Sequence, residues 1–431
     1  MEYAANLSLQ LYLWLSLVTL VAFFPRIVFF FSAFRKQPKL VNEKLNRLAV
    51  IVPARDESSV ISLCLDSLCC QTYDPGFFDT YVVVADEADP TIEIAADYAQ
   101  TYVTVVSGQT GKGSALDGIL KALLTQSPGK YDAFLILDAD NLAAPDLLEE
   151  MNNALASGAQ IVCGKKLIKN WESARLDSRS LICNCTALTY TQIDELGNRA
   201  RNSLRMAITI IGTGLLVRAD VIEQNGGWPY SGLTEDYEMT ADAIVKGWTS
   251  FYYSHAKVFT EEATDARSAY KRKLRWIKGY TQCEQRYGKQ VRKATFSDGF
   301  KWRNLDYLYG VYPAYAFFGL SVIMLVLGIV ALILSLSGRN ISLATALPMV
   351  WVPVALVYAV LFAFTLVTLA ADWRNTKIST GEKLAVLFLN PIYALAYFRI
   401  FIAAFVTGYD HFQWEHTTRV PFAMGRSQGS P

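Results

Sequence analysis

Asp138, Ala139 and Asp140 follow the apolar run Phe134-Leu135-Ile136-Leu137. In an extended strand, residues i and i+2 project to one side, so two carboxylates can converge on one hard cation. Oxygen donors of this kind suit Mg²⁺ or Mn²⁺, which would bridge them to a diphosphate. Placement directly after a hydrophobic strand favours a site over a solvated turn. Six further groups of chemically capable residues share the same stretch of chain, three upstream and three downstream.

Upstream, Pro53-Ala54-Arg55-Asp56-Glu57 closes an apolar run. Its acids either favour the positive end of a following helix or form a wall of a nucleotide pocket. Asp86 ends the next apolar run, where a carboxylate can accept hydrogen bonds from a base or ribose; the alternative is a turn aspartate. Gly111-Lys112-Gly113-Ser114 combines glycines, a cation and a helix start, which suits a phosphate or a polar base edge. The spacing GxxxxGK[ST] is missing, which argues against an ATPase.

Downstream, Ile211-Gly212-Thr213-Gly214 permits close approach of a ligand or simply of a packed helix. Thr234-Glu235-Asp236 either caps a helix or presents a carboxylate that removes a proton from an attacking hydroxyl. Lys271, Arg272, Lys273, Arg275, Trp276 and Lys278 lie within eight residues. Arginine can hold diphosphate oxygens bidentately, and a tryptophan face can stack on a sugar ring. The same cluster could anchor a helix to acidic lipid.

The elements that must position these groups read as one α/β domain over residues 46–300. Buried parallel strands are expected at Leu48–Pro53, Thr80–Ala85, Tyr102–Val106, Phe134–Leu137 and Ile161–Gly164. Helices are expected at Val60–Cys70, Thr91–Tyr102, Gly113–Leu124 and Ala144–Ala156. Alternation of this kind predicts a mostly parallel sheet with its sites at the carboxyl ends of the strands.

Membrane segments flank this domain. Residues 3–25, 307–338 and 340–371 carry no charge in a chain that is 52% hydrophobic. Each run exceeds the roughly 20 residues needed to cross a bilayer. The first lacks a basic leader and a small-residue cleavage site, so it reads as an anchor. Leu384–Thr407 is either a fourth span or an interfacial helix, because Asn390-Pro391 breaks it and Arg399 sits inside it. Arg35, Lys36, Lys39, Lys44 and Arg47 follow the first run and place the α/β domain in the cytosol of a multi-pass protein in the cell membrane. The expected division is an N-terminal helix over 1–34, the domain over 46–300, further helices over 301–408 and a tail over 409–431. A net charge of +1 gives no field for nucleic acid. Seven cysteines without a CxxC pair fit a reduced compartment, and one histidine among them gives no zinc site.

PARDE, Asp86, GKGSAL, DAD, TED and RKLRW, in this order, resemble the membrane-bound family 2 glycosyltransferases. These are inverting enzymes with a GT-A fold, among them cellulose, chitin and hyaluronan synthases. The resemblance covers residues 46–300, and Trp414-Glu415-His416-Thr417-x-Arg419 resembles a tail motif of bacterial members. It implies that Pro53, Ala54, Glu57, Asp86, Lys112, Asp138, Arg272 and Arg275 bind a UDP-sugar donor. Asp138 and Asp140 would hold Mg²⁺ or Mn²⁺, Asp236 would be the general base, and Glu235 and Trp276 would meet the acceptor.

One position departs from the pattern. Processive synthases usually begin this last motif with Gln, where this chain has Arg272; RxxRW also occurs in members that modify lipids. Two enzymatic expectations follow: the leading one, from the general resemblance to bacterial members, is a synthase extending a β-linked polysaccharide, and the alternative is a transferase placing one sugar on a lipid. Three or four spans are few for a self-contained channel, which weighs toward the lipid or a multi-chain pore. A non-catalytic scaffold or transporter fits less well, because every chemical position is filled and repeated halves are absent.

Overall fold

The computed structural model describes residues 1–172, 180–297, 299–309, 312–339 and 341–406. The tail and its Trp414–Arg419 motif lie outside the described residues. After α1 (Glu2–Ser32) the chain alternates β1 (Leu48–Pro53), α2 (Ile61–Cys69), β2 (Phe78–Val84), α3 (Thr91–Ala96), β3 (Thr101–Val105) and α4 (Lys112–Gln126). It continues through β4 (Ala133–Ile136), β5 (Leu142–Ala143), α5 (Leu147–Ala154), β6 (Ile161–Ile168) and α6 (Lys169–Glu172). α7 (Leu181–Thr191) runs through a π-helical stretch, Gln192–Asn198, into α8 (Arg199–Ser203). β7 (Leu215–Arg218), α9 (Ala219–Asn225), α10 (Glu235–Lys246), β8 (Ser250–Thr260) and α11 (Ala266–Phe296) complete the α/β part. The last helices are α12 (Leu305–Tyr309), α13 (Tyr312–Leu336), α14 (Leu343–Ala371) and α15 (Thr380–Val406).

The eight strands form one sheet in the order β3-β2-β1-β4-β7-β6-β8-β5. The first four are parallel, with Leu48 opposite both Phe78 and Ala133. β7 then runs antiparallel to β4 and β6, whereas β6 and β8 are parallel. Successive residues of β1 serve opposite faces, as the period of two requires. Leu48, Val50 and Val52 join a core with Ile61, Leu65 and Met151, while Ala49 and Ile51 pack with Leu116, Ile119 and Leu120. Both faces are therefore covered, and the strands read as continuous apolar runs.

α3 stops at Ala96, short of the expected Tyr102. Gln100 turns the chain at φ 60°, and Thr101–Val105 pairs with Thr80–Val84. These β-branched and aromatic residues are better served by a sheet edge than by a helix.

Among the described residues, three helices are long and apolar enough to cross a membrane: α1, the segment Ala316–Leu336 of α13, and α14. α15 is not among them, and its Asn390 amide donates to Thr365 Oγ1 of α14. α13 and α14 cross almost backbone to backbone; a Cβ on Gly328 would meet the Met349 carbonyl at 2.5 Å. Between them and α1 lie Ala5, Tyr12, Met324, Ala331, Ala346 and Met349. This three-helix seam is packed with side chains.

Buried ion pairs join sheet and helices. Lys165 of β6 reaches Asp372, just after α14, at 2.7 Å and Glu195 at 3.1 Å. Asp306 of α12 receives both Arg201 and Arg26 of α1. Removing one partner of such a pair costs about 3–5 kcal/mol, because the other charge stays buried.

Candidate active site

The motifs gather along the carboxyl ends of β1, β2 and β4. Pro53 ends β1, and the Ala54 N–H donates to the Val83 carbonyl, holding the two strand ends level. Beyond them the chain turns sharply at Asp56, whose φ is 54°. Asp56, Asp86, Asp89, Arg55, Gly108 and Gln109 line a cavity of about 450 Å³. Backbone bonds shape it. Asp89 accepts from the N–H groups of Asp56 and Thr91, Asp86 accepts from Ala88, and Gln109 donates to the Val84 carbonyl. Glu57 is buried behind this wall, with its N–H on Thr91 Oγ1.

The Asp138–Asp140 pair sits just past β4, in a turn rather than in the strand. Strand alternation therefore does not direct its side chains. The turn is set by Asp138 N–H on Thr213 Oγ1, Asn141 N–H on the Asp138 carbonyl, and Asn141 Nδ2 on the same Thr213 oxygen.

Lys112, from the first turn of α4, reaches into this turn. Its Nζ donates to Asp138 Oδ1 and to the Gly212 carbonyl, each at 2.5 Å, and lies 3.8 Å from Glu235 Oε1. Burial opposes its charge, but Asp138, Glu235 and Asp236 outweigh that and hold the ammonium above its ordinary range. Gly113, beside it, serves packing. A Cβ there would meet the Tyr230 carbonyl at 2.1 Å.

Gly212 is the meeting point of the remaining charges. A Cβ on it would lie 3.2 Å from Glu235 Oε1, 3.3 Å from Asp236 Oδ2 and 3.3 Å from Lys112 Nζ. Its N–H donates to Asp236 Oδ2 at 2.8 Å, while Asp236 Oδ1 accepts from Tyr237. Thr234-Glu235-Asp236 does begin a helix, α10, so capping position and site coincide. Glu235 is buried, and burial together with the neighbouring Asp236 pushes its carboxyl up to about 7.

α11 carries the cationic-aromatic cluster against this helix start. Gly279 allows the approach; a Cβ there would lie 2.3 Å from Thr234 Oγ1. Arg275 donates to the Leu233 carbonyl at 3.0 Å. Arg272 instead turns to the end of β8, donating to the Glu261 carbonyl and to Glu262 Oε1 at 2.9 Å. Burial opposes the Arg272 charge and Glu262 more than restores it. Trp276 meets Tyr190 of α7 edge to face, with ring centroids 6.1 Å apart. Tyr190 lies within electrostatic reach of Asp138, Asp140, Arg272 and Glu262, so α7 closes the far side of the site.

A family model described as glycosyltransferase-like family 2 matches residues 46–279, more than half of the chain. The chain belongs to this family of glycosyltransferases. The glycosyltransferase is 23% identical over 295 residues to β-monoglucosyldiacylglycerol synthase of Nostoc sp. (strain PCC 7120), covering 65% of this chain and 59% of that protein. It is 24% identical over 335 residues to probable glucomannan 4-β-mannosyltransferase 3 of Oryza sativa subsp. japonica, covering 76% of this chain and 57% of that one. The matches thus take in less than two thirds of these relatives' own length. Among solved structures, a mannosyltransferase from Pyrobaculum calidifontis in complex with GDP-Man and Mn²⁺ superposes with a TM-score of 0.52 at 19% identity. That alignment covers 90% of this chain and 99% of that one, and it supports the GT-A fold.

In this glycosyltransferase, Asp86 lines the open cavity, whereas Pro53, Ala54 and Glu57 flank its lining residues Arg55 and Asp56 in the chain, with Ala54 and Glu57 buried. Lys112, Asp138, Glu235 and Asp236 converge at Gly212. Arg272 stands apart from Arg275, on Glu262. Tyr190 and the pair Glu261-Glu262 were not among the residues expected at the site, and Thr213 entered only as part of the segment Ile211-Gly212-Thr213-Gly214, with no role for its hydroxyl. The acidic pair carried a usable signal, since it follows a strand end as Asp86 does. Tyr190 carried none, being one aromatic residue in an apolar helix. The carboxylates fit a hard cation: the Lys112 ammonium already stands in for one on Asp138. No cluster of three or more His, Cys, Asp or Glu among the described residues could hold a metal unaided. Two carboxylates with the rest of the shell from phosphate and water is the usual Mg²⁺ arrangement.

Proposed function

We propose that this glycosyltransferase moves one hexose or N-acetylhexosamine from a UDP-sugar to the hydroxyl of a lipid acceptor at a membrane surface, with inversion. The observation that carries the lipid reading is the surroundings of Trp276. Its partner Tyr190 belongs to α7, and α7 and α11 both pack on α15. Thr186 and Lys273 of those helices meet Tyr393 of α15. α15 exposes Leu384, Phe388, Ile392 and Leu395. The expected acceptor side of the site therefore adjoins an apolar, outward-facing helix. The similarity to a glucosyldiacylglycerol synthase and Arg272 at the head of RxxRW agree with this reading.

The chain's own groups divide the work. The cavity at Asp86 takes the nucleoside, and Arg275 and Lys112 face the diphosphate. Mg²⁺ or Mn²⁺, held by Asp138 and Asp140, supplies charge neutralisation to the leaving diphosphate when bound. Asp236 accepts the proton of the acceptor hydroxyl as that oxygen attacks the anomeric carbon. One displacement turns an α-linked donor into a β-linked product. Gly212 and Tyr237 N–H groups fix Asp236, so the base enters the reaction already oriented. Trp276 and Glu235 hold the acceptor. The catalytic part lies in the cytosol, carried by the membrane helices.

A second reading, extension of a β-linked polysaccharide, is favoured by the similarity to glucomannan mannosyltransferases. The filled seam between α1, α13 and α14 weighs against export of a polymer through one chain. The deciding experiment incubates purified protein with UDP- and GDP-sugars and membrane lipids, then sizes the product. A single-sugar glycolipid at saturating donor is expected; a long lipid-free glycan would overturn the lipid reading.

A further inference from the structure

The last turns of α11 present a surface that the transfer chemistry does not use. Lys289, Arg292, Lys293 and Phe296 are exposed and recur at i, i+3, i+4 and i+7, one face of the helix. The opposite face, Gly288, Val291 and Thr295, is buried. The chain then folds back: the Lys301 N–H donates to the Thr295 carbonyl. This turn stacks Phe300 on Phe296 with centroids 5.9 Å apart, and Trp302 follows two residues later at the start of a short 3₁₀ turn, Trp302–Asn304. Phe296, Phe300 and Trp302 are 57%, 55% and 52% exposed. From Lys289 to Arg303 the sequence holds five basic residues and one acid, Asp298.

Three large aromatics exposed together would be a liability in water. Their place in the fold says what covers them. Four residues after Trp302, Asp306 pairs with Arg26 of α1, and the Tyr309 hydroxyl bonds the Ala22 carbonyl of the same helix. α13 follows at Tyr312. The patch is thus tied to the ends of two candidate spans, at the level where a chain enters a bilayer. Tryptophan and phenylalanine suit that boundary, and lysine and arginine suit acidic headgroups.

We propose that Phe296, Phe300 and Trp302 insert at the bilayer surface while Lys289, Arg292 and Lys293 bind anionic phospholipid headgroups. This contact would hold α11, and with it the Arg275–Trp276 end of the site, in a fixed attitude to the membrane. The proposal goes beyond the transfer reaction and does not depend on the acceptor's identity. Attraction between basic residues and an anionic leaflet falls off within a Debye length, so salt must weaken it.

The test uses the full chain in nanodiscs of phosphatidylcholine, alone or mixed with phosphatidylglycerol, with bromine on the acyl chains near the headgroup. The emission of Trp302 is isolated as wild type minus Trp302→Phe. The expected result is quenching that is several-fold stronger with phosphatidylglycerol. Added salt should return it to the phosphatidylcholine level, and so should the combined Lys289→Gln, Arg292→Gln and Lys293→Gln changes. The salt titration on the wild-type protein stands even if that variant misfolds. Equal quenching in both discs would overturn headgroup recognition. An unquenched Trp302 would overturn the proposal entirely, and emission that then varied with protein concentration would identify a second copy of the chain as the cover.

Discussion

The two ends of the site are built on different principles. At the β1–β2 end, Asp86 and Asp89 accept backbone N–H groups and border an open cavity. At the β4–α10–α11 end, charges are already matched inside the protein: Lys112 with Asp138, Arg272 with Glu262, Arg286 with Glu238 and Lys169 with Glu261. At the first end the groups holding Asp86 and Asp89 are backbone N–H groups fixed by the fold. At the second a ligand must exchange partners, because Lys112 stands on Asp138. Carboxylates held by backbone are a rigid mould. Carboxylates held by side-chain cations are a set of charges whose partners could be exchanged for the proposed diphosphate and metal.

The contrast can be broken at several points, and the largest effect belongs to the second end. Chelation by EDTA should abolish turnover, and Mg²⁺ or Mn²⁺ should restore it; full activity after exhaustive chelation would remove the metal from Asp138 and Asp140. Next comes Asp236→Asn, which keeps the shape but cannot accept a proton. Initial rates should fall by about 10²–10⁴-fold while UDP affinity stays unchanged. A near wild-type rate would move the base elsewhere, with Glu235 the next candidate.

Trp276→Ala should raise the acceptor KM by roughly tenfold, equivalent to ~1.4 kcal/mol of lost contact, and leave donor affinity alone. Should donor affinity fall instead, the two ends are not separable. Asp86→Asn tests the open end. It removes the charge from the proposed nucleoside contact, so donor Kd should rise by several-fold to about tenfold, with kcat little changed.

The smallest effect is a pH dependence. The Glu235 carboxyl titrates near 7 in the folded protein, above its ordinary 4.5. Between these values the folded chain holds a proton that the unfolded chain releases, so stability falls as pH rises from about 4.5 to 7. Plotted against pH, the Tm of wild type minus Glu235→Gln should decline across that window. A flat difference would show that Glu235 titrates normally and that the second end is less tightly closed than its geometry indicates.

Much of this was legible without coordinates. A continuous apolar strand demands cover on both faces, and long uncharged runs demand lipid. Those demands are local, so β1, β2, β4 and the three candidate spans are found close to where periodicity and charge put them. The motif order likewise points to the family through residue types alone. β7 and β8 escaped, and so did the antiparallel turn of the sheet at β7, because a short apolar segment does not declare its partner.

Tertiary structure alone decided which charges meet. Lys112 and Asp138 are 26 residues apart, and Lys112 and Gly212 are 100 apart. Nothing local marks them as neighbours. Arg272 and Arg275 look interchangeable in RKLRW, yet three residues along a helix rotate them to different partners, Glu262 and Leu233. The motif supplied the chemistry because functional groups are a property of residue type. Their pairing, and the burial that lifts Glu235 toward 7, depend on distance and dielectric, which exist only once α4, α10 and α11 are packed around Gly212.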